Sequence, residues 1–208
     1  MIKLPEISLV EAIRTDSSKV VAQGFKLLEI DLETGEQAVL RNERYRGGLD
    51  LDGNLVVVAK GFGGPSYLEV IDRRVPPSHG GSQIVIRHKG ATRELILQGH
   101  QLCTSPHDYN GSANIYDIRS AGGGVVVPYF TTPCTSTALL YGQRLATTEN
   151  FDSNVRGDCR KDPNLKFYDI TTSKLLWSVP HPDCYLRAMD GDRIVMGLDT
   201  LFALTLSS

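Results

Sequence analysis

One rhythm runs through the chain and constrains its fold more than any single residue does. Short alternating apolar segments end in Asp, or a polar stand-in, and then turn. They are Leu28-Glu29-Ile30-Asp31-Leu32-Glu33-Thr34-Gly35, Leu68-Glu69-Val70-Ile71-Asp72, Asn114-Ile115-Tyr116-Asp117-Ile118, Lys166-Phe167-Tyr168-Asp169-Ile170 and, last, Phe202-Ala203-Leu204-Thr205-Leu206. Alternation with a period of two is the pattern of a half-buried strand. The aligned Asp and Thr positions lie 36 to 52 residues apart. Ahead of each copy stand two further apolar runs around a tight polar turn: Thr15-Asp16-Ser17, Asp52-Gly53-Asn54, Gln98-Gly99-His100, Tyr141-Gly142-Gln143 and Asp190-Gly191-Asp192. Gly-containing turns between β-rich runs are the strongest short-range hairpin signal. Behind four copies comes an outer strand: 37–40, 83–86, 125–127 and 175–179. A repeat of roughly 40–45 residues carrying about four strands is the module of a β-propeller.

The chain therefore reads as all-β, with no segment of helical period. It is expected to be a single five-bladed β-propeller domain over 1–208, with blades near 8–42, 47–89, 92–130, 136–179 and 185–206. Naming the strands a to d from axis to rim, the last module lacks a d strand and Ile2-Lys3-Leu4 lacks a partner. Residues 2–4 are expected to complete the fifth blade, closing the ring and removing a sheet edge; the alternative is a piece of a larger, six- or seven-bladed propeller. The first and fifth modules align without gaps at an offset of 174 residues. Lys plus Arg number 22 and Asp plus Glu 24, a net charge of −2, which argues against a general nucleic-acid or membrane-surface binder. Four Cys are too few for a disulfide scaffold. The beginning of the chain has no long apolar h-region, and the expected address is cytoplasmic or nuclear.

The segments Ile115-Tyr116-Asp117-Ile118-Arg119-Ser120 and Phe167-Tyr168-Asp169-Ile170-Thr171-Thr172-Ser173-Lys174 resemble the third strand and turn of WD40-type repeats. Leu28 to Glu36 is similar to the same element in WD40 and quinoprotein-like propellers. No Trp-Asp dipeptide occurs, and Gly99-His100 falls at the a-b turn instead of ahead of strand a. The resemblance implies a non-catalytic platform that holds a protein or peptide partner.

Strand order sorts the loops: d-a and b-c loops share one face, a-b and c-d turns the other. Longer loops fall on the first face, where binding residues concentrate. Its candidates are Arg44, Tyr45 and Arg46, then His107, Asp108 and Tyr109, then Arg156, Arg160 and Lys161. Arg and Tyr recur in binding hot spots, and the cations suit an acidic or phosphorylated segment. Cys134, Cys159, His181 and Cys184 cluster around the fourth module, a weak tetrahedral metal set without a Cys-x-x-Cys pair. Cys103 reads as core, His79 and His88 as turn and rim residues, and Trp177 as packing between sheets. No cofactor is called for, and a monomer is expected. The alternative is a sugar-active or other small-molecule hydrolase or lectin of five-bladed type, with Glu11, Asp50 and Glu94 around the axis.

Overall fold

The computed structural model describes residues 12–16, 18–45, 47–60, 66–75, 83–88, 92–106, 111–120, 126–132, 135, 137–149, 164–180, 185–191, 193–197 and 201–205. Among these residues the chain is all-β apart from one 3-10 turn, Ile118–Ser120. The first sheet holds β1 (Ala12–Thr15), β2 (Lys19–Gln23), β3 (Leu27–Asp31) and β4 (Gln37–Arg41). The second holds β5 (Leu49–Asp52), β6 (Leu55–Lys60), β7 (Ser66–Asp72) and β8 (Gln83–His88). The third has the order β12-β11-β10-β9, from β9 (Thr92–Gln98), β10 (Gln101–Pro106), β11 (Ala113–Asp117) and β12 (Phe130–Thr132). The fourth holds β13 (Thr137–Tyr141), β14 (Arg144–Thr148), β15 (Asn164–Asp169) and β16 (Lys174–Pro180). The fifth has three described strands: β17 (Tyr185–Asp190), β18 (Arg193–Gly197) and β19 (Leu201–Thr205). The registered pairs run antiparallel, as in β6 on β7, where Leu55 faces Asp72 and Lys60 faces Tyr67.

The chain divides into two compact units, one from Met1–His100 and Ile118–Val127, the other from Gln101–Asp117 and Pro128–Ser208. In the first, Val21, Leu27, Leu40, Tyr45, Leu49, Val56, Val58 and Ile71 form one buried cluster drawn from the first two sheets. In the second, Ala146, Leu165, Phe167, Leu186, Ile194 and Met196 do the same for the last two, with Trp177 packed against them. Each fully buried Leu, Ile or Val removes enough apolar surface for roughly 1.5–3 kcal/mol. The middle strands are apolar on both sides: Leu55-Val56-Val57-Val58-Ala59 is buried from Val56 to Ala59. The rim strand β16 is exposed or half-exposed along its whole length. β-branched residues therefore fill the middle of a sheet packed on both faces, while the rim tolerates Lys and Ser.

Two turn devices explain the rhythm. Gly53, Gly99, Gly142 and Gly191 hold one position in four a-b hairpins at φ +54 to +57, a region closed to most side chains. At the c-d turns the recurring Asp is a backbone clamp. Asp31 Oδ1 accepts the N–H groups of Glu33 and Thr34 at 2.9 Å, and Asp169 Oδ1 those of Thr171 and Thr172 at 2.9 and 3.0 Å. Those bonds hold both carboxyls below their ordinary pKa, chiefly through Thr34 and Thr172 respectively. The next residue then donates its N–H to the a-b turn carbonyl, in four sheets: Leu32 to Ser18, Arg73 to Asn54, Ile118 to His100 and Ile170 to Gln143. The a-b and c-d turns do share one end of each sheet.

Three expectations are corrected. The outer strand of the third sheet is Phe130–Thr132, not 125–127: Phe130 aligns with Ile115 and Thr132 with Ala113, while Val127 is 70% exposed and Pro128 has no N–H to donate. β1 runs to Thr15, inside the expected first turn, because Asp16 Oδ1 closes the turn by accepting the Ser18 and Lys19 N–H groups. His88 is the buried last residue of β8, and burial pushes its imidazole pKa down.

β5 and β9 approach closely at Gly48, where an added Cβ would stand 2.7 Å from Leu95 Cγ and 3.0 Å from the Leu95 backbone nitrogen. Gly48→Ala is expected to destabilise the protein by roughly 1–3 kcal/mol, as overpacking does. Urea denaturation checks this; an unshifted midpoint would contradict the close approach.

Candidate functional site

In the first unit the d-a segment after β4 meets the b-c turn between β2 and β3. The chain leaves β4 at Arg41 and reaches β5 through Glu43, Arg44 and Tyr45, and β2 turns into β3 through Gly24, Phe25 and Lys26. That b-c turn is closed by the Gly24 N–H donating to the Lys26 carbonyl at 3.0 Å, which leaves the Phe25 ring outside at 53% exposure. The Arg44 guanidinium lies over this ring, 4.8 Å from its centroid, a cation-π pair at the surface. Beside it the Lys60 ammonium pairs with Glu43.

Beneath this surface lies a buried polar network. Tyr45 is fully buried, so it belongs to the core and not to an exposed hot spot. Its hydroxyl donates to Glu69 Oε2 at 2.5 Å, and Arg41 Nε donates to Glu69 Oε1 at 2.5 Å. Arg41 also donates through Nη1 to the Leu40 carbonyl at 2.7 Å. Burial, and then the bond to Glu69, push the Tyr45 phenol well above its ordinary pKa, so it remains a donor. A buried carboxylate is tolerable only with such partners. Glu69 thus ties β7 to the end of β4 and to the loop that carries Arg44.

The other sequence candidates fall in three groups. Arg46, His107, Asp108, Tyr109, Arg156, Arg160 and Lys161 lie outside the described residues, as do Cys134, Cys159, His181, Cys184 and Glu11. Cys103 is buried in β10, as a core residue. Asp50 is committed to structure: its carboxylate accepts the Leu97 N–H at 2.7 Å and stands 3.5 Å from Arg14 Nε, with burial pushing its pKa up. Glu94 on β9 is half-buried. Phe25 was not singled out in the sequence. Its signal was there: an aromatic between Gly and Lys in a tight turn has no core to enter.

At the other end of the same two sheets, Arg73 is enclosed by acids. Its side chain is 9% exposed. Nη1 donates to Glu29 Oε2 at 2.9 Å and Nη2 to Asp16 Oδ2 at 2.7 Å and to the Gly53 carbonyl. Lys19 Nζ donates to the second Glu29 oxygen at 2.7 Å. The Ser18 N–H and the Arg73 guanidinium, in that order, pull the Asp16 carboxyl down to about 2.

No protein-family model matches the chain, and no curated protein matches it either. Solved structures do match. A chain of the mitotic checkpoint complex superposes with a TM-score of 0.68 at 16% identity, over 95% of this chain and 61% of that one. The computationally designed Ika8 protein gives 0.67 at 16% identity, over 95% and 58%. Hsv2p of Kluyveromyces lactis gives 0.61 at 13% identity, over 90% and 63%. The fold is that of the β-propellers. The chain spans about three-fifths of the length of these structures.

Two outcomes test this geometry. Tyr45→Phe removes one of the donors to a buried carboxylate and is expected to cost roughly 1–3 kcal/mol in urea denaturation; unchanged stability would deny the network its role. Asp16 has a depressed folded pKa, so its contribution is present above its ordinary value of 3.8 and is lost as pH falls towards about 2. Asp16→Asn should therefore flatten the acid limb of the stability profile between those values; an acid limb as steep as that of the parent protein would contradict the assignment.

Proposed function

We propose that the protein is a non-enzymatic, WD40-like propeller scaffold that binds a protein or peptide partner on its d-a/b-c face. The observation that carries this reading is the Arg44–Phe25 pair: an exposed aromatic capped by a guanidinium, on a loop braced from below by Tyr45, Glu69 and Arg41. Large amphipathic groups on a rigid support bind with little ordering cost. Phe25 offers a partner an apolar contact and Arg44 a donor fork for a carboxylate or phosphate. Arg46, Arg156, Arg160 and Lys161 add basic character to the same sequence-defined face, which favours an acidic or phosphorylated segment. A structural neighbour drawn from a protein assembly, the mitotic checkpoint complex, is in keeping with protein partners. The use of Asp50 as a bracket between strands favours the scaffold over axial carboxylate chemistry.

The five sheets are taken as five blades. The expected pairing of residues 2–4 with the last sheet lies outside the described residues.

Affinity capture with the intact protein tests the face. Phe25→Ala and Arg44→Glu, each expected to leave the melting temperature within a few degrees, should remove the partners held by the parent protein. A captured set identical with both variants rejects this face.

A further inference from the structure

The a-b turns of the first two sheets and the c-d turn of the second line an open cleft of ≈ 480 Å³, formed by Asp16, Ser18, Lys19, Asn54, Arg73 and Arg74, with Gly53 at its wall. We infer that this cleft is a second binding site, which takes the carboxylate side chains of an acidic peptide segment between Lys19 and Arg74.

The argument is one of donors left over. The acids at the cleft are already satisfied from within. Asp16 Oδ1 accepts two backbone N–H groups and Oδ2 accepts Arg73, while the two Glu29 oxygens are taken by Lys19 and Arg73. The cations are not used up. Arg74 is 68% exposed and grips Asp72 through Nε and Nη2, at 2.9 and 2.5 Å, which leaves the Nη1 end of its fork. Lys19 has one acceptor for three ammonium hydrogens and is 39% exposed. Arg73 Nε is buried with no acceptor among the described residues. Each of the three lining cations is paired with an acid, Lys19 with Glu29, Arg73 with Asp16 and Glu29, and Arg74 with Asp72, so what the site offers a ligand is the N–H groups that these pairs leave over. The leftover N–H groups of Lys19 and Arg74 are charge-assisted donors, for which a carboxylate is the matching acceptor.

Size and rigidity narrow the class. The volume falls in the range of about 300–1,000 Å³ typical of ligand sites, but here the lining is polar. The floor is fixed by the nine-tenths-buried Arg73 and its two acids, whereas Lys19 and Arg74 are long rim side chains that can swing onto a carboxylate. Rim cations set apart on two different sheets, Lys19 on the first and Arg74 on the second, suit an extended segment with more than one acidic side chain.

Fluorescence anisotropy of a short labelled oligoglutamate peptide on the intact protein tests this, with the matched oligoglutamine peptide as control. The glutamate peptide should bind and the glutamine peptide should not, with affinity falling as salt rises. The double variant K19Q/R74Q should weaken binding roughly tenfold or more while still melting in one cooperative transition, at a somewhat lower temperature because the Glu29 and Asp72 pairs are lost with it. Arg44→Glu, at the opposite loop end, should leave this binding intact, so failure here and failure of the d-a/b-c face are told apart. No binding of the glutamate peptide, or equal binding by K19Q/R74Q, overturns the proposal. Displacement by inorganic phosphate, at concentrations where chloride of matched ionic strength has no effect, would show a small-oxyanion site and overturn the peptide assignment.

Discussion

The structure depends on how the innermost strands deal with their free edge. An inner strand pairs with its own sheet on one side only, and the N–H groups on its other side need acceptors. Here side chains of a neighbouring sheet supply them. In the first unit Asp50 and Asp52, two residues apart on β5, accept the Leu97 and Gly99 N–H groups of the β9 hairpin at 2.7 and 2.5 Å. In the second, Ser105 accepts the Ala138 N–H at 3.0 Å and Thr137 that of Leu186 at 3.3 Å. The spacing of Asp50 and Asp52 matches the two-residue period of the edge they cap. Polar residues on inner strands are thus brackets first. Carboxylates at such positions invite a catalytic reading, and at Asp50 the contacts favour the mechanical one.

The same logic runs through the turns. Each c-strand Asp that clamps its own turn also sets the following N–H towards the a-b turn carbonyl, which fastens the outer hairpin of a sheet to the inner one. A repeat whose polar residues are spent on backbone groups keeps its shape when loop residues change. Such a body presents side chains such as Phe25 and Arg44 without having to hold them by packing.

Polar networks deeper in the first unit differ in which charge stands at their centre, and each leaves one buried guanidinium nitrogen, Arg41 Nη2 or Arg73 Nε, without an acceptor among the described residues. Around Glu69 the donors Tyr45 and Arg41 converge on one buried acid, and the result is a brace. Around Arg73 two acids converge on one buried cation, and Lys19 and Arg74, paired with Glu29 and Asp72, lie outside it at the rim. A donor left over at a brace costs stability, whereas a donor left over at an open rim remains available to a ligand.

The sequence by itself determined the strands and their turns. Alternation over a few residues, Gly at the left-handed turn position and Asp at the Asx position are local causes, and the four Gly-centred hairpins sit where they were read. Where local signals were weak, the reading slipped: three consecutive Val ahead of Pro128 outweighed Phe130–Thr132, whose claim rests on register with β11. Only tertiary structure decided the fate of individual polar and aromatic side chains. Tyr45 and Arg44 are neighbours in a loop with the same apparent promise, yet one is sealed against Glu69 and the other lies over Phe25. The Arg73 cluster joins residues more than forty positions apart. Burial and hydrogen-bond partners across sheets are properties of packed neighbours distant in the chain, so no local pattern encodes them.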